Sequence, residues 1–140
     1  MGGPEPEGVV MTKFMLLQNY EPAEGCDVMI GEWPPEDVAA HIQFQRDLND
    51  ELVERGEFVD AQALAAPELA KFVVSDGVSA PVVTDGPFPE SKELLAGYRM
   101  IDVDSVERAI EIAAKASTAP GPGGKPTRTR IEVREVMGEP

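Results

Sequence analysis

Histidine, cysteine and tryptophan occur once each, as His41, Cys26 and Trp33. One imidazole and one thiol cannot assemble a zinc or iron site, and the carboxylates lack EF-hand spacing, so a carboxylate-only magnesium site is the open metal option. A lone Cys26 cannot close an intrachain disulfide, and Glu24 and Asp27 beside it favour the unreactive thiol, which reads as an intracellular, cytoplasmic protein. Bases are scarce too: 12 Lys+Arg stand against 26 Asp+Glu, a net charge of −14. Such a chain repels phosphate backbones and anionic membranes, which argues against nucleic-acid and membrane partners. No apolar run approaches the ~20 residues of a membrane helix, and the first residues lack a secretory pattern. Gly-x-Ser-x-Gly and Gly-x-Gly-x-x-Gly are also absent. The stretch from Ala119 to Thr127 looks superficially like a phosphate loop, but Ala119 stands where the first Gly is required and Pro126 breaks the Lys-Ser/Thr step. It also follows a helix and precedes a strand, the reverse of the required order. No cofactor is expected.

What is present is enough for one compact domain: 140 residues, 42% hydrophobic. Residues 1–12, rich in Gly and Pro, read as a disordered leader, and 13–137 as the single domain. The acidic excess sits in the N-terminal half, with 14 acids and 3 bases over residues 1–60. It reads as a solvated surface.

Lys13 to Tyr20 is apolar at both parities, Phe14 and Leu16 on one face and Met15 and Leu17 on the other, the pattern of a strand covered on both sides. After a loop from Glu21 to Trp33, Pro34-Pro35-Glu36-Asp37 opens a helix that runs to about Arg55, with Gly56 as the stop. Val38, His41, Phe44, Leu48 and Leu52 form its apolar stripe. Phe58 to Leu64 reads as a strand, Lys71 to Ser75 and Pro81 to Thr84 as a small hairpin about Asp76-Gly77, and Leu94 to Val103 as a further strand. Asp85 to Pro89 reads as a turn that cannot be regular structure. Asp104 is the expected cap of a helix through about Ala116, with Val106, Ala109, Ile110 and Ala113 buried, and after a Pro/Gly loop at 117–127 a strand from Thr129 to Val136 closes the chain.

The order is β-α-β, a β-hairpin, then β-α-β: a ferredoxin-like α+β sandwich, mainly antiparallel, with two helices on one sheet face. Met15, Leu17, Val59, Ala61, Leu95, Ile101 and Ile131 are more apolar strand residues than two short helices cover. A homodimer through the sheet face follows, enclosing a barrel-like interior where a small-molecule ligand would sit. His41, as the single imidazole, is the candidate general base, against the alternative of a core histidine hydrogen-bonded to a backbone carbonyl.

The run Val83-Thr84-Asp85-Gly86-Pro87-Phe88-Pro89-Glu90-Ser91-Lys92-Glu93, followed by Leu94-Leu95-Ala96-Gly97-Tyr98, resembles the signature of the YCII-related family in its DGPF-motif branch. The likeness extends over about residues 13 to 137, through the opening strand, the helix from His41 to Gly56 and the terminal Ile131 to Met137. It implies a dimeric α/β barrel of ferredoxin-like subunits. Some relatives are likened to small-molecule lyases or isomerases, with a helix histidine and an aspartate in acid/base roles; others sit beside sigma factors and look regulatory. By matching position the histidine is His41 and the aspartate Asp85, with Asp60 and Asp76 as nearby alternatives. Trp33, Phe88 and Tyr98 are the candidate apolar wall for a ligand, and Gly86 and Pro87 shape the turn. A non-catalytic ligand-binding or regulatory dimer is the other function this resemblance allows.

Overall fold

The apolar runs become strands and the three-and-four stripes become helices, in the order β1 (Thr12–Asn19), α1 (Pro35–Glu54), β2 (Phe58–Ala63), β3 (Lys71–Val74), β4 (Val82–Asp85), β5 (Leu95–Val103), α2 (Val106–Ser117) and β6 (Ile131–Glu135). The computed structural model describes residues 10–19, 32–86 and 95–139. Most of the expected leader, most of the loop from Glu21, Pro87 and Phe88 lie outside the described residues. The protein is α+β, with two helices and antiparallel strand pairing throughout the described sheets. Four strands form one sheet in the order β2-β5-β1-β6, and β3 and β4 form a separate two-stranded sheet. Connections β1-α1-β2 and β5-α2-β6 each step over a neighbouring strand, which brings both helices to the same sheet face.

Register shows how the core is built. Phe14 lies opposite Ile101 and Leu16 opposite Arg99 and Val133, so these side chains share the helix-covered face. There Phe14, Leu16, Ile101 and Val103 pack with Leu48 and Leu52 of α1 and with Ala109, Ile112, Ala113 and Ala116 of α2. Leu52, Ile101 and Val103 are sealed completely. Gly56, at φ +72, ends the first helical segment in the left-handed conformation that a side chain resists.

Four expectations are corrected. The cap of α2 is Ser105, whose hydroxyl accepts the Arg108 N–H at 3.1 Å, because Ser105 is the residue in extended backbone just before the first turn. The buried stripe of α2 is Ala109, Ile112, Ala113 and Ala116, the fuller i, i+3, i+4, i+7 series, whereas Val106 and Ile110 are exposed. Asp85 is the last residue of a strand, not part of the turn, since it pairs with Lys71 across the hairpin. Ile101, Ile131 and Ala61 do not belong to a leftover sheet face: Ile101 is in the core, Ile131 packs against it, and Ala61 lies opposite Arg99 on the same side. The uncovered face instead carries the cross-strand pairs Met15 with Met100 and Leu17 with Tyr98, all half-buried.

Candidate functional site

A cavity of about 450 Å³ opens between α1 and the end of the sheet where β1 finishes and β5 begins. Its floor includes Leu16, Ala61, Gly97 and Arg99 from the sheet, and its roof is a row of α1 side chains one turn apart: His41, Gln45 and Asn49. Trp33, just before α1, closes one side with its ring edge-on to the imidazole at 5.5 Å between centroids. Thr127 and Thr129, from the segment after α2, complete the wall.

Gly97 is what lets this floor exist. A Cβ there would lie 2.7 Å from the backbone oxygen of Gln62 on the neighbouring strand. Only a residue without a side chain allows β2 and β5 to approach so closely beneath the cavity.

The directions of the hydrogen bonds fix the chemistry of His41. Its Nδ1 lies 3.0 Å from the carbonyl oxygen of Pro120, which only accepts, so Nδ1 carries a proton. From the other side Arg99, which only donates, gives Nη2–H to Gln45 Oε1 at 2.9 Å and Nε–H to Asn49 Oδ1 at 2.8 Å. That turns the Gln45 amide nitrogen towards His41 Nε2, at 3.4 Å, where it donates. Both ends of the chain of bonds therefore specify one neutral tautomer, with the Nε2 lone pair accepting from the Gln45 amide. His41 is 9% exposed, yet it lines the open volume.

The Pro120 carbonyl is held by its own surroundings. Pro120 and Pro126 face each other antiparallel, the Thr127 N–H reaches Ala119 O at 2.9 Å, and the Gly121 N–H reaches Lys125 O at 2.6 Å. Ala119 and Thr127 are buried, and the Gly123 N–H reaches Asp37 Oδ2 on α1 at 3.3 Å. A segment without repeating structure thus becomes a fixed part of the wall.

Arg99 is 7% exposed, and burial pushes its guanidinium down to about 10, so it remains charged near neutral pH. Its partners are the neutral amides of Gln45 and Asn49 and, at 3.4 Å, the Gln45 backbone oxygen.

The sequence-predicted residues divide. His41, Trp33 and Tyr98 all border the cavity. Tyr98 also donates its hydroxyl to Asp60 Oδ2 at 2.8 Å, a bond that raises the phenol and lowers the carboxyl. Asp85 is not brought to His41: it forms an ion pair with Lys71 on the exposed hairpin. Asp76 caps the hairpin bend, accepting from the N–H groups of Val78 and Ser79 at 2.9 and 2.8 Å, and these bonds hold its carboxyl below the usual range. Gly86 donates its N–H to Ala70 O at 2.9 Å and lies against the Phe72 ring, where a Cβ would come within 2.1 Å of Cε2. Among the described residues no three His, Cys, Asp or Glu side chains group in a way that could hold a metal ion, and no helix is long and apolar enough to cross a membrane.

Residues 12–125 match the YCII-related domain. The chain belongs to the YCII-related family. Within the curated proteins, this YCII-related chain is 32% identical over 74 residues to Uncharacterized protein R00369 of Rhizobium meliloti (strain 1021), an alignment covering 53% of the chain and 56% of that protein. The chain thus matches only about half the length of that relative.

Sequence reasoning missed Arg99, Gln45, Asn49 and the Pro120 carbonyl. For three of them a signal existed. Arg99 is the one charged residue in the inward series Gly97, Arg99, Ile101, Val103, and Gln45 and Asn49 follow His41 at steps of four. A backbone carbonyl was the expected partner of a core histidine, but nothing marked Pro120 as its source.

Proposed function

We propose that this YCII-related protein is a small-molecule enzyme of the lyase or isomerase type, in which His41 Nε2 is the general base. The observation that supports it is the His41 tautomer: an imidazole held through its Nδ1–H, its Nε2 lone pair accepting only from the Gln45 amide at 3.4 Å, in a residue that lines a ligand-sized cavity. In this reading Nε2 takes a proton from a substrate carbon or hydroxyl, Trp33 forms part of the wall, and the Pro120 carbonyl orients the imidazole ring. Asp85 stays with Lys71 as an anchor of the hairpin, and the Asp-Gly-Pro-Phe run beginning there supports the proposal that the chain is of the DGPF-motif branch.

The same proposal takes the subunit as ferredoxin-like and residues 13–137 as one domain. A second copy covers the face that bears Met15, Leu17, Tyr98 and Met100, closing a dimeric α/β barrel. The β3-β4 hairpin favours such a partner, because an isolated two-stranded sheet is marginal in water and Val73, Val74, Val82 and Val83 are all at least 59% exposed. Light scattering at micromolar concentration should give twice the 15.1 kDa chain mass; the monomer mass would remove the barrel.

The catalytic reading is tested by incubating the protein in deuterated water with a panel of small hydroxy and carbonyl compounds and following C–H exchange by proton NMR. Exchange that vanishes in His41→Gln, with the fold intact by circular dichroism, is the expected result. A second reading, a non-catalytic ligand-binding or regulatory dimer tied to sigma-factor-dependent transcription, is favoured by one observation: no carboxylate among the described residues touches His41. Saturable binding without exchange, and a sigma-factor gene beside this one, would decide for it.

A further inference from the structure

The chain carries a net charge of −14, yet the cavity wall is of the opposite sign. Among the described residues no Asp or Glu lines it, while Arg99 and Arg46 do. Arg99 is the buried one, and a guanidinium taken out of water is strongly disfavoured unless a charge of opposite sign meets it. The groups that do meet it are amides and one backbone carbonyl, and no carboxylate among the described residues forms an ion pair with it. Its Nη1 takes no part in these bonds. Around this charge the wall is largely apolar, with Leu16, Ala61, Ala63, Leu64 and Ile131.

We infer that the cavity takes a small organic carboxylate, its carboxyl group seated on Arg99 and its apolar body against the sheet floor, with His41 Nε2 facing the body of the ligand. A planar guanidinium matches a carboxylate with paired donors, and a single buried cation balances a single negative charge. Gln45 bridges the two functional side chains: it accepts from Arg99 and donates to His41, so a carboxylate that replaces Gln45 Oε1 on Arg99 also frees the amide to turn away from Nε2. Binding of the anion and uncovering of the base are then one event. This inference rests on the cavity being the ligand site, and extends that reading by naming the ligand class and its anchor.

The test uses the full chain and two matched pairs, benzoate with benzamide and 4-methylpentanoate with its primary amide, titrated by calorimetry and by amide-proton NMR. Acid and amide share shape and differ in charge. The expected result is that each carboxylate binds at least tenfold more tightly than its amide, and that Arg99→Gln erases this preference while amide binding stays within about twofold. Arg99→Lys, which keeps the charge if the uncharged variant fails to fold, should retain part of the preference. Equal binding of acid and amide overturns the carboxylate assignment but leaves the cavity as a ligand site. A preference that survives in Arg99→Gln removes Arg99 as the anchor, and no binding by any of the four compounds overturns both readings.

Discussion

Removing Arg108 should cost more than the loss of any exposed ion pair, because Glu57 is a carboxylate almost without water. Glu57 is 7% exposed and lies between the end of α1, the start of β2 and the first turn of α2. Arg108 donates Nε–H to Oε2 and Nη2–H to Oε1, both at 2.9 Å, and Arg55 donates Nε–H to Oε1 at 2.9 Å. Breaking a buried pair by removing one partner costs ~3–5 kcal/mol. Here one hydrogen bond from exposed Arg55 survives and the Arg108 side chain is 20% exposed, so the figure for Arg108→Met is reduced to about 2–3 kcal/mol. With a urea slope of roughly 2 kcal/mol per M, the unfolding midpoint should fall by about 1 M or somewhat more. The pH dependence carries a definite sign. Hydrogen bonding to Arg108 holds the Glu57 carboxyl below its ordinary value of 4.5, so its contribution is fully present above that value and is lost as pH falls through the lowered, folded-state one. The gap between wild type and Arg108→Met should therefore be widest near neutral pH and narrow on acidification below about 4. Urea melts of both proteins from neutral to acid pH measure it, and adding Glu57→Gln to Arg108→Met should recover part of the loss. A gap that is constant with pH, or a neutral-pH loss under about 0.5 kcal/mol, would refute the argument that Glu57 is a desolvated charge held by Arg108.

Gly97→Ala should destabilise by about 1–3 kcal/mol in the same melts, since its Cβ would press on backbone that cannot rotate away; an unchanged midpoint would show that β2 and β5 separate freely. Ser105→Ala should cost ~1 kcal/mol by removing the acceptor for the Arg108 N–H, whereas Asp104→Ala should cost clearly less, and a reversed order would return the cap to Asp104. Nitrogen NMR of the single imidazole in its neutral form should show the proton on Nδ1, and a proton on Nε2 instead would overturn the hydrogen-bond directions drawn from Pro120 and Arg99.

Strands and helices were legible where one physical signal dominated. The stripe His41, Phe44, Leu48, Leu52 and the stop at Gly56 place α1 almost to the residue, because helical periodicity and a glycine end agree. The alternation of Phe14 with Leu16 gives the inward face of β1. Legibility failed where partners, not periodicity, decide. Ile101 and Arg99 share a face, and only the pairing register with β1 and β2 shows that this face is the covered one. Asp104 and Ser105 are both good caps, and the choice rests on which of them has extended backbone next to the first turn. In the site, His41 was visible as the one imidazole, but its orienting group was not, since every residue type supplies a carbonyl. The expected His41–Asp85 pairing drew on the family resemblance, whereas Asp85 is placed by cross-strand pairing with Lys71.

That the imidazole is oriented by the Pro120 carbonyl has an evolutionary consequence. A carboxylate orienter can be lost through a single substitution, but a main-chain oxygen is retained whatever residue occupies the position. Inheritance of the tautomer is thereby transferred from the identity of residue 120 to the length and path of the stretch between Ala119 and Thr127, whose ends are tied together by the Thr127 N–H and the Ala119 oxygen. Changes of side chain at position 120 itself are buffered, whereas Gly123 and Gly124, at φ +69 and +77, resist any side chain, and a one-residue insertion or deletion would carry the oxygen away from Nδ1. Lineages of this protein can therefore vary the side chain at position 120 and keep the orientation of the imidazole, provided the stretch is never lengthened or shortened.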